Sequence, residues 1–231
     1  MHYSFKMKLN KIDSQQYANL QVPQIDLLLN EAQEIFIKLI AEPRFPKSYL
    51  GFESSQRSIE DIRTLVVEDF LVQVSQKGIA ALPEDYMYWS NATLLMSKDI
   101  CIDVPATLTI RQHDDKYKDS SFDVSSFEWR EINGVFNKDG IKLSVPDGTT
   151  ITKLYITYIK KPAYIHNAKG FGNGTYNLPS GKVLSGSVNC ELPEYTHNEI
   201  VDIAVMLASG NLEYPDYSIK KDKVNNVNQL N

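Results

Sequence analysis

Two cysteines, Cys101 and Cys190, are all the thiols the 231 residues contain. That is too few for a disulfide-stapled secreted scaffold and suits a reducing compartment, with a single disulfide left open. Both lie in apolar, strand-like stretches (ICIDV and SVNCEL), where a buried free thiol is the usual state. No stretch approaches the ~18 consecutive apolar residues of a membrane span. The opening MHYSFKMKLNKID has neither an apolar core nor a small-residue cleavage pattern, so no secretory signal is read. The Asn-x-Thr matches at Asn91 and Asn173 therefore carry no glycosylation meaning. Positive charge is in deficit: 24 Lys and Arg against 29 Asp and Glu leave a net charge of −5, which excludes a general nucleic-acid coat.

Catalytic and metal-binding patterns are also lacking. The four histidines, His2, His113, His166 and His197, are isolated, with no His-x3-His or Cys-x2-Cys spacing for zinc. In the run from His113 through Asp114, Asp115, Lys116, Lys118 and Asp119, charges alternate in sign without an apolar frame. That describes a solvated loop, and its oxygen ligands are too sparse for calcium. Gly170-Phe171-Gly172-Asn173-Gly174 lacks the Gly-Lys-Ser/Thr ending and the following helix of a phosphate loop. There is no Gly-x-Ser-x-Gly elbow, and no carboxylate pair stands out for glycoside cleavage. Tyr86-Met87-Tyr88-Trp89 reads as core plus a covered strand face rather than as a stacking platform. No catalytic residue, cofactor site or metal site is assigned.

What is present is enough hydrophobic material, 42 %, for a real core. Thirteen tyrosines suit surfaces that are wet alone and dry in an assembly. Ile25, Leu28, Leu29, Ala32, Ile35, Phe36 and Leu39 keep helical spacing and predict a helix from Pro23 to Ile40, ended by Pro43 and Pro46. A second helix is expected after Ser58, with Ile59, Ile62, Leu65 and Val66 as its apolar stripe, antiparallel to the first. From Leu71 the texture changes to short β-branched runs: LVQVS, YMYWS, ICIDVPATLTI, GIKLSV and ITKLYITYI. Turn signals at Asn137–Gly140 and Pro146–Gly148 punctuate them, and the last two runs are expected to form a hairpin. The final run is apolar on both faces, as in a covered strand. Residues 170–186 read as a Gly-, Asn- and Ser-rich loop, and Val188–Leu192 as one more short strand. Thr196 and Glu199 form a capping box for a last helix whose buried stripe is Ile200, Ile203, Ala204, Leu207 and Ala208, stopping at Gly210.

The expected class is α+β: an N-terminal antiparallel helix pair and a C-terminal helix packed with a mainly antiparallel β region, plus an extended C-terminal arm. The expected boundaries are 1–70 helical, 71–192 β-rich, 193–210 a C-terminal helix packing on the N-terminal helices, and 211–231 the arm. The arm is Asn- and Lys-rich, with Val224, Val227 and Leu230 as the groups that dock it.

Three ordered segments carry a resemblance. They are Leu29 to Phe36 with Gly51-Phe52-Glu53 and the Ile59–Leu65 stretch; Ala81 to Tyr86 leading through strands to Tyr158-Ile159-Lys160-Lys161-Pro162; and Glu191-Leu192-Pro193-Glu194 followed by His197 to Ala204. Together they resemble a group of structural proteins of crAss-like and related Bacteroidetes phages that form rings below the portal. Their layout is similar to head-to-tail connector proteins of short-tailed phages. The resemblance implies a non-enzymatic, homo-oligomeric, twelvefold ring in the virion neck or tail, assembled in the host cytoplasm. It also implies the portal and neighbouring neck and tail proteins as partners, non-specific proximity to genomic DNA, and no membrane. A mildly acidic surface suits a channel through which DNA slides. Phe171, Tyr176, Tyr214, Tyr217, Val224, Val227 and Leu230, in the Gly-rich loop and the arm, are the candidate assembly contacts. A carbohydrate- or receptor-binding tail or adhesin module is the alternative reading, and a hydrolase with an unrecognised site a third.

Overall fold

The structure, a computed structural model, describes residues 1–10, 20–41, 60–75, 77–111, 124–170, 175–178, 181 and 183–211. It is α+β and divides into two compact units: Met1–Leu65 together with the chain from Pro162 onward, and Val66–Lys161.

The first unit is built on helices. α1 (His2–Asn10) was not anticipated from the sequence, because its only buried apolar residues are Phe5 and Leu9, one turn apart in a polar segment. α2 (Val22–Ala41) matches the expected first helix; Ile25, Leu28, Leu29, Ala32 and Phe36 are buried, and Glu34 meets Lys38 on the outer face. α3 (His197–Asn211) follows a 3-10 turn at Glu194–Thr196 and runs through Gly210. The Thr196 hydroxyl donates to Pro193 O. α3 packs against both α2 and α1.

The expected second helix falls partly outside the described residues. Ser58 and Ile59 lie outside the described residues, Glu60–Ile62 are helical, and the chain tightens into a 3-10 turn at Arg63–Leu65 before entering a strand. Val66, expected as the end of the helical stripe, is the first residue of that strand. Two consecutive β-branched residues, Val66 and Val67, favour the extended chain.

The second unit is one curled sheet of seven strands: β1 (Val66–Val72), β2 (Ile79–Ala80), β3 (Tyr86–Lys98), β4 (Cys101–Arg111), β5 (Glu131–Asn137), β6 (Gly140–Ser144) and β7 (Thr150–Lys160). Their order is β1-β7-β3-β4-β5-β6-β2, and every neighbour is antiparallel except β4 with β5. Just beyond β1, Val74 bridges to Ala80 of β2, so the two ends of the strand order meet. Period-2 alternation fills the inside of the curl: Ala92, Leu94 and Met96 from β3, Leu154, Ile156 and Tyr158 from β7, and Leu108, Ile132, Ile141 and Leu143 from strands nearby. Each large aliphatic buried here contributes about 2 kcal/mol.

The apolar faces of β7 are explained by its place between β1 and β3, and Leu94↔Leu154 and Ala92↔Ile156 set its register. The expected hairpin of the last two runs is not formed. β6 lies between β5 and β2, so the Pro146–Gly148 turn carries the chain to a different part of the sheet. The Asn137–Gly140 turn does close a hairpin, but of β6 with β5, a strand the sequence reading did not include. Within the stretch read as a loop, β8 (Thr175–Asn177) and β9 (Val183–Ser185) pair in the first unit. Val188, expected in a strand, makes only a single bridge to His166.

Candidate functional site

Three histidines isolated in sequence gather in the first unit. A cleft of about 750 Å³ is lined by His2, His166, His197, Cys190, Lys169 and Glu194, among others. Behind the cleft, buried polar groups tie the elements of the unit together, while the buried His166 Nε2 on its lining has no hydrogen-bond partner. α2 turns Asp26, Asn30 and Gln33 inward along one face, all buried among the aliphatic residues. Asn30 Nδ2 donates to Ile165 O (2.9 Å) and its Oδ1 accepts the Ile165 N–H (2.8 Å), gripping the returning chain as a strand would. Gln33 Nε2 donates to Ala163 O, and its Oε1 accepts from the Cys190 thiol at 3.1 Å. The Asp26 carboxylate, fully buried, meets His2 Nε2 (2.5 Å), the Asn167 N–H (3.1 Å) and the Tyr176 hydroxyl (2.8 Å).

These environments hold protons in place. Burial, and then the hydrogen bond to Asp26, push the Tyr176 phenol upward, so it stays a donor. Burial likewise raises Tyr164 and the Cys190 thiol, and a protonated thiol is a poor nucleophile. His166 is buried, stacks edge-on against Tyr176 at 4.9 Å and places Nδ1 2.5 Å from Gly186 O. His197 Nε2 lies 3.0 Å from Leu192 O. Among the described residues no three His, Cys, Asp or Glu side chains converge as metal ligands.

Of the residues predicted as assembly contacts, Tyr176 is described: half-buried on β8 and tied to Asp26 and His166. Phe171, Tyr214, Tyr217, Val224, Val227 and Leu230 lie outside the described residues, as do the 211–231 arm beyond Asn211 and the His113–Asp119 run.

The second unit carries its own surface features. Phe70, Tyr158, Tyr86, Phe136 and Trp89 form a chain of ring contacts with centroids 5.9–6.4 Å apart. Neighbouring rings occupy one another's faces and edges, and Tyr86 and Trp89 also pack on the core. The β3–β4 hairpin tip carries an apolar surface that no sequence pattern marks: Ile100 is 94 % exposed and Ile102 74 %. Cys101 between them is an exposed free thiol, not the buried one expected from its apolar stretch. Its neighbours looked like core because β-branched alternation marks a strand, while only the sheet order shows that β5 joins β4 no earlier than Thr107. Trp129, in the turn before β5, is 83 % exposed. No described helix is long and apolar enough to cross a membrane.

No protein-family model matches the sequence. The chain is 27 % identical over 220 residues, 89 % of its own length and 89 % of the relative's, to a protein named "Ring protein 4/5" of Bacteroides phage crAss001.

Proposed function

We propose that this chain is a non-enzymatic structural protein of a tailed bacteriophage virion, acting as a subunit of an oligomeric ring. The similarity to "Ring protein 4/5" carries the reading, because it extends over 89 % of both chains rather than over one motif. In the finer form of the proposal the ring lies below the portal in the neck, has twelve subunits, joins capsid to tail and surrounds the DNA channel. The excess of acidic residues suits a wall past which DNA slides.

Electron microscopy of the purified protein at high concentration tests the reading. Closed rings of one size are expected, and a protein that stays monomeric overturns it. The carbohydrate-binding alternative draws on the same aromatic chain, whose rings contact one another. Specific glycan binding without ring formation would replace the first reading with the second.

A further inference from the structure

Two imidazoles on the lining of the histidine cleft each have one ring nitrogen on a backbone carbonyl: His166 Nδ1 on Gly186 O and His197 Nε2 on Leu192 O. A carbonyl only accepts, so these nitrogens carry the ring protons. The other nitrogens of the neutral rings, His166 Nε2 and His197 Nδ1, are then lone-pair acceptors. His166 is 2 % exposed, and its Nε2 is buried without a hydrogen-bond partner. An unmet buried acceptor is costly, and a donor brought by a ligand removes that cost. The fold also holds this acceptor in place. The His166 N–H donates to Val188 O (3.0 Å), and His166 O accepts the Val188 N–H (2.8 Å). Asn30 grips the adjoining Ile165, and Tyr176 stacks edge-on against the imidazole. A group fixed in this way loses little freedom when a ligand bonds to it.

Donors stand on the same lining. Asn167 Oδ1 accepts the Lys169 N–H (3.2 Å), which leaves the amide hydrogens of Asn167 to donate. Ser187 Oγ accepts the Ala168 N–H (3.1 Å), which leaves its hydroxyl proton. The charged side chains on the lining are Lys169 and Glu194, one of each sign. Tyr3, 77 % exposed, adds an aromatic ring. An anion is opposed by the histidine acceptors, and a cation by the Asn167, Ser187 and Lys169 donors. Hydroxyl groups suit both sets, because each donates one hydrogen bond and accepts others. A cleft of about 750 Å³ has the size of a small-molecule site and exceeds the space of a single ordered water.

We propose that this cleft binds a saccharide. One sugar hydroxyl donates to His166 Nε2, the Asn167 amide and the Ser187 hydroxyl donate to neighbouring sugar oxygens, and Tyr3 packs on a C–H face. The site is separate from the aromatic chain of the second unit and makes no demand on ring formation.

NMR titration of the full-length chain tests it, with glucose, galactose, N-acetylglucosamine and their β-linked disaccharides as separate probes and inorganic phosphate as the charged comparison. At least one sugar should bind. His166→Phe keeps a ring against Tyr176 and loses both nitrogens, and should weaken that sugar about tenfold. His166→Gln, whose amide reaches the Nε2 position, should recover part of the loss. Tyr3→Ala, at an exposed position, should weaken the same sugar with unchanged circular dichroism, which keeps the site testable where His166→Phe disturbs the fold. Lys169→Ala should leave sugar binding unchanged. Failure of every sugar to bind overturns the proposal, as does phosphate binding that requires Lys169 while the sugars are ignored. Sugar binding that neither His166→Phe nor Tyr3→Ala weakens overturns the cleft assignment, and its loss in Trp89→Ala would put the sugar on the aromatic chain instead. Electron microscopy of the same preparation reads ring formation separately, and its result bears on the ring reading alone.

Discussion

Asp26 shows how a buried carboxyl group organises one unit. Its carboxylate meets a helix-α1 histidine, a backbone N–H after the sheet and a tyrosine on β8, joining segments far apart in sequence. Removing it strands His2, the Asn167 N–H and the Tyr176 hydroxyl without their acceptor, and breaking such a buried set costs about 3 kcal/mol. Asp26→Ala should lower the urea midpoint of the helical unit accordingly, read by far-ultraviolet circular dichroism. Tyr158 carries a pH dependence. Burial, then the hydrogen bond it donates to Asp85 Oδ1 (2.9 Å), push its phenol from 10.0 up to about 12. Folding thus favours the neutral phenol: its contribution is complete below about pH 10 and fades as pH rises through about 12. Tyr158→Phe should flatten the loss of stability across that interval, measured as denaturation midpoint against pH.

Among the elements, the β5–β6 hairpin shows most clearly what holds the curl closed. Gly140 (φ 135°) ends the turn, and a Cβ there would lie 2.1 Å from Ala80 O on β2, inside the backbone of the neighbouring strand. Gly140→Ala should therefore separate β2 from β6 and cost upwards of about 1 kcal/mol, seen as a lower Tm. β5 itself escaped the sequence reading for a local reason. Asn133-Gly134 carries the composition of a hairpin turn, yet it lies inside the strand. Gly134 is needed because a Cβ would meet Ile141 Cγ2 at 2.9 Å and Leu108 Cδ1 at 3.1 Å, so the spacing of three strands sets the residue. β8 and β9 escaped for a different reason: three residues each, separated by Gly and Ser, fall below the length at which alternation can be recognised. α2 was legible because its apolar period is long, though its inward polar residues Asp26, Asn30 and Gln33 were not, since polarity alone reads as a solvated face.

At the scale of the whole molecule, the proposed ring gives the C-terminal arm a task. The 211–231 arm, with Val224, Val227 and Leu230, is proposed to strengthen the ring by crossing to a neighbour. Deleting residues 211–231 should leave a folded monomer that assembles poorly, with sedimentation velocity reporting the lost rings and circular dichroism the retained fold. Full ring formation by the truncated chain would remove the arm from the assembly.

The sequence by itself determined the class of the protein. Helical periodicity at Ile25–Phe36 and Ile200–Ala208, with β-branched alternation between them, requires helices at both ends of a strand-rich centre, and the resemblance to ring proteins came from the same ordered segments. Only the tertiary structure decided which strands are neighbours, which histidines meet and which isoleucines face water. Periodicity is a property of one segment, whereas pairing, burial and exposure depend on what another segment leaves uncovered. Ile100 and Leu94 look alike along the chain, and the strand order makes one a surface group and the other core.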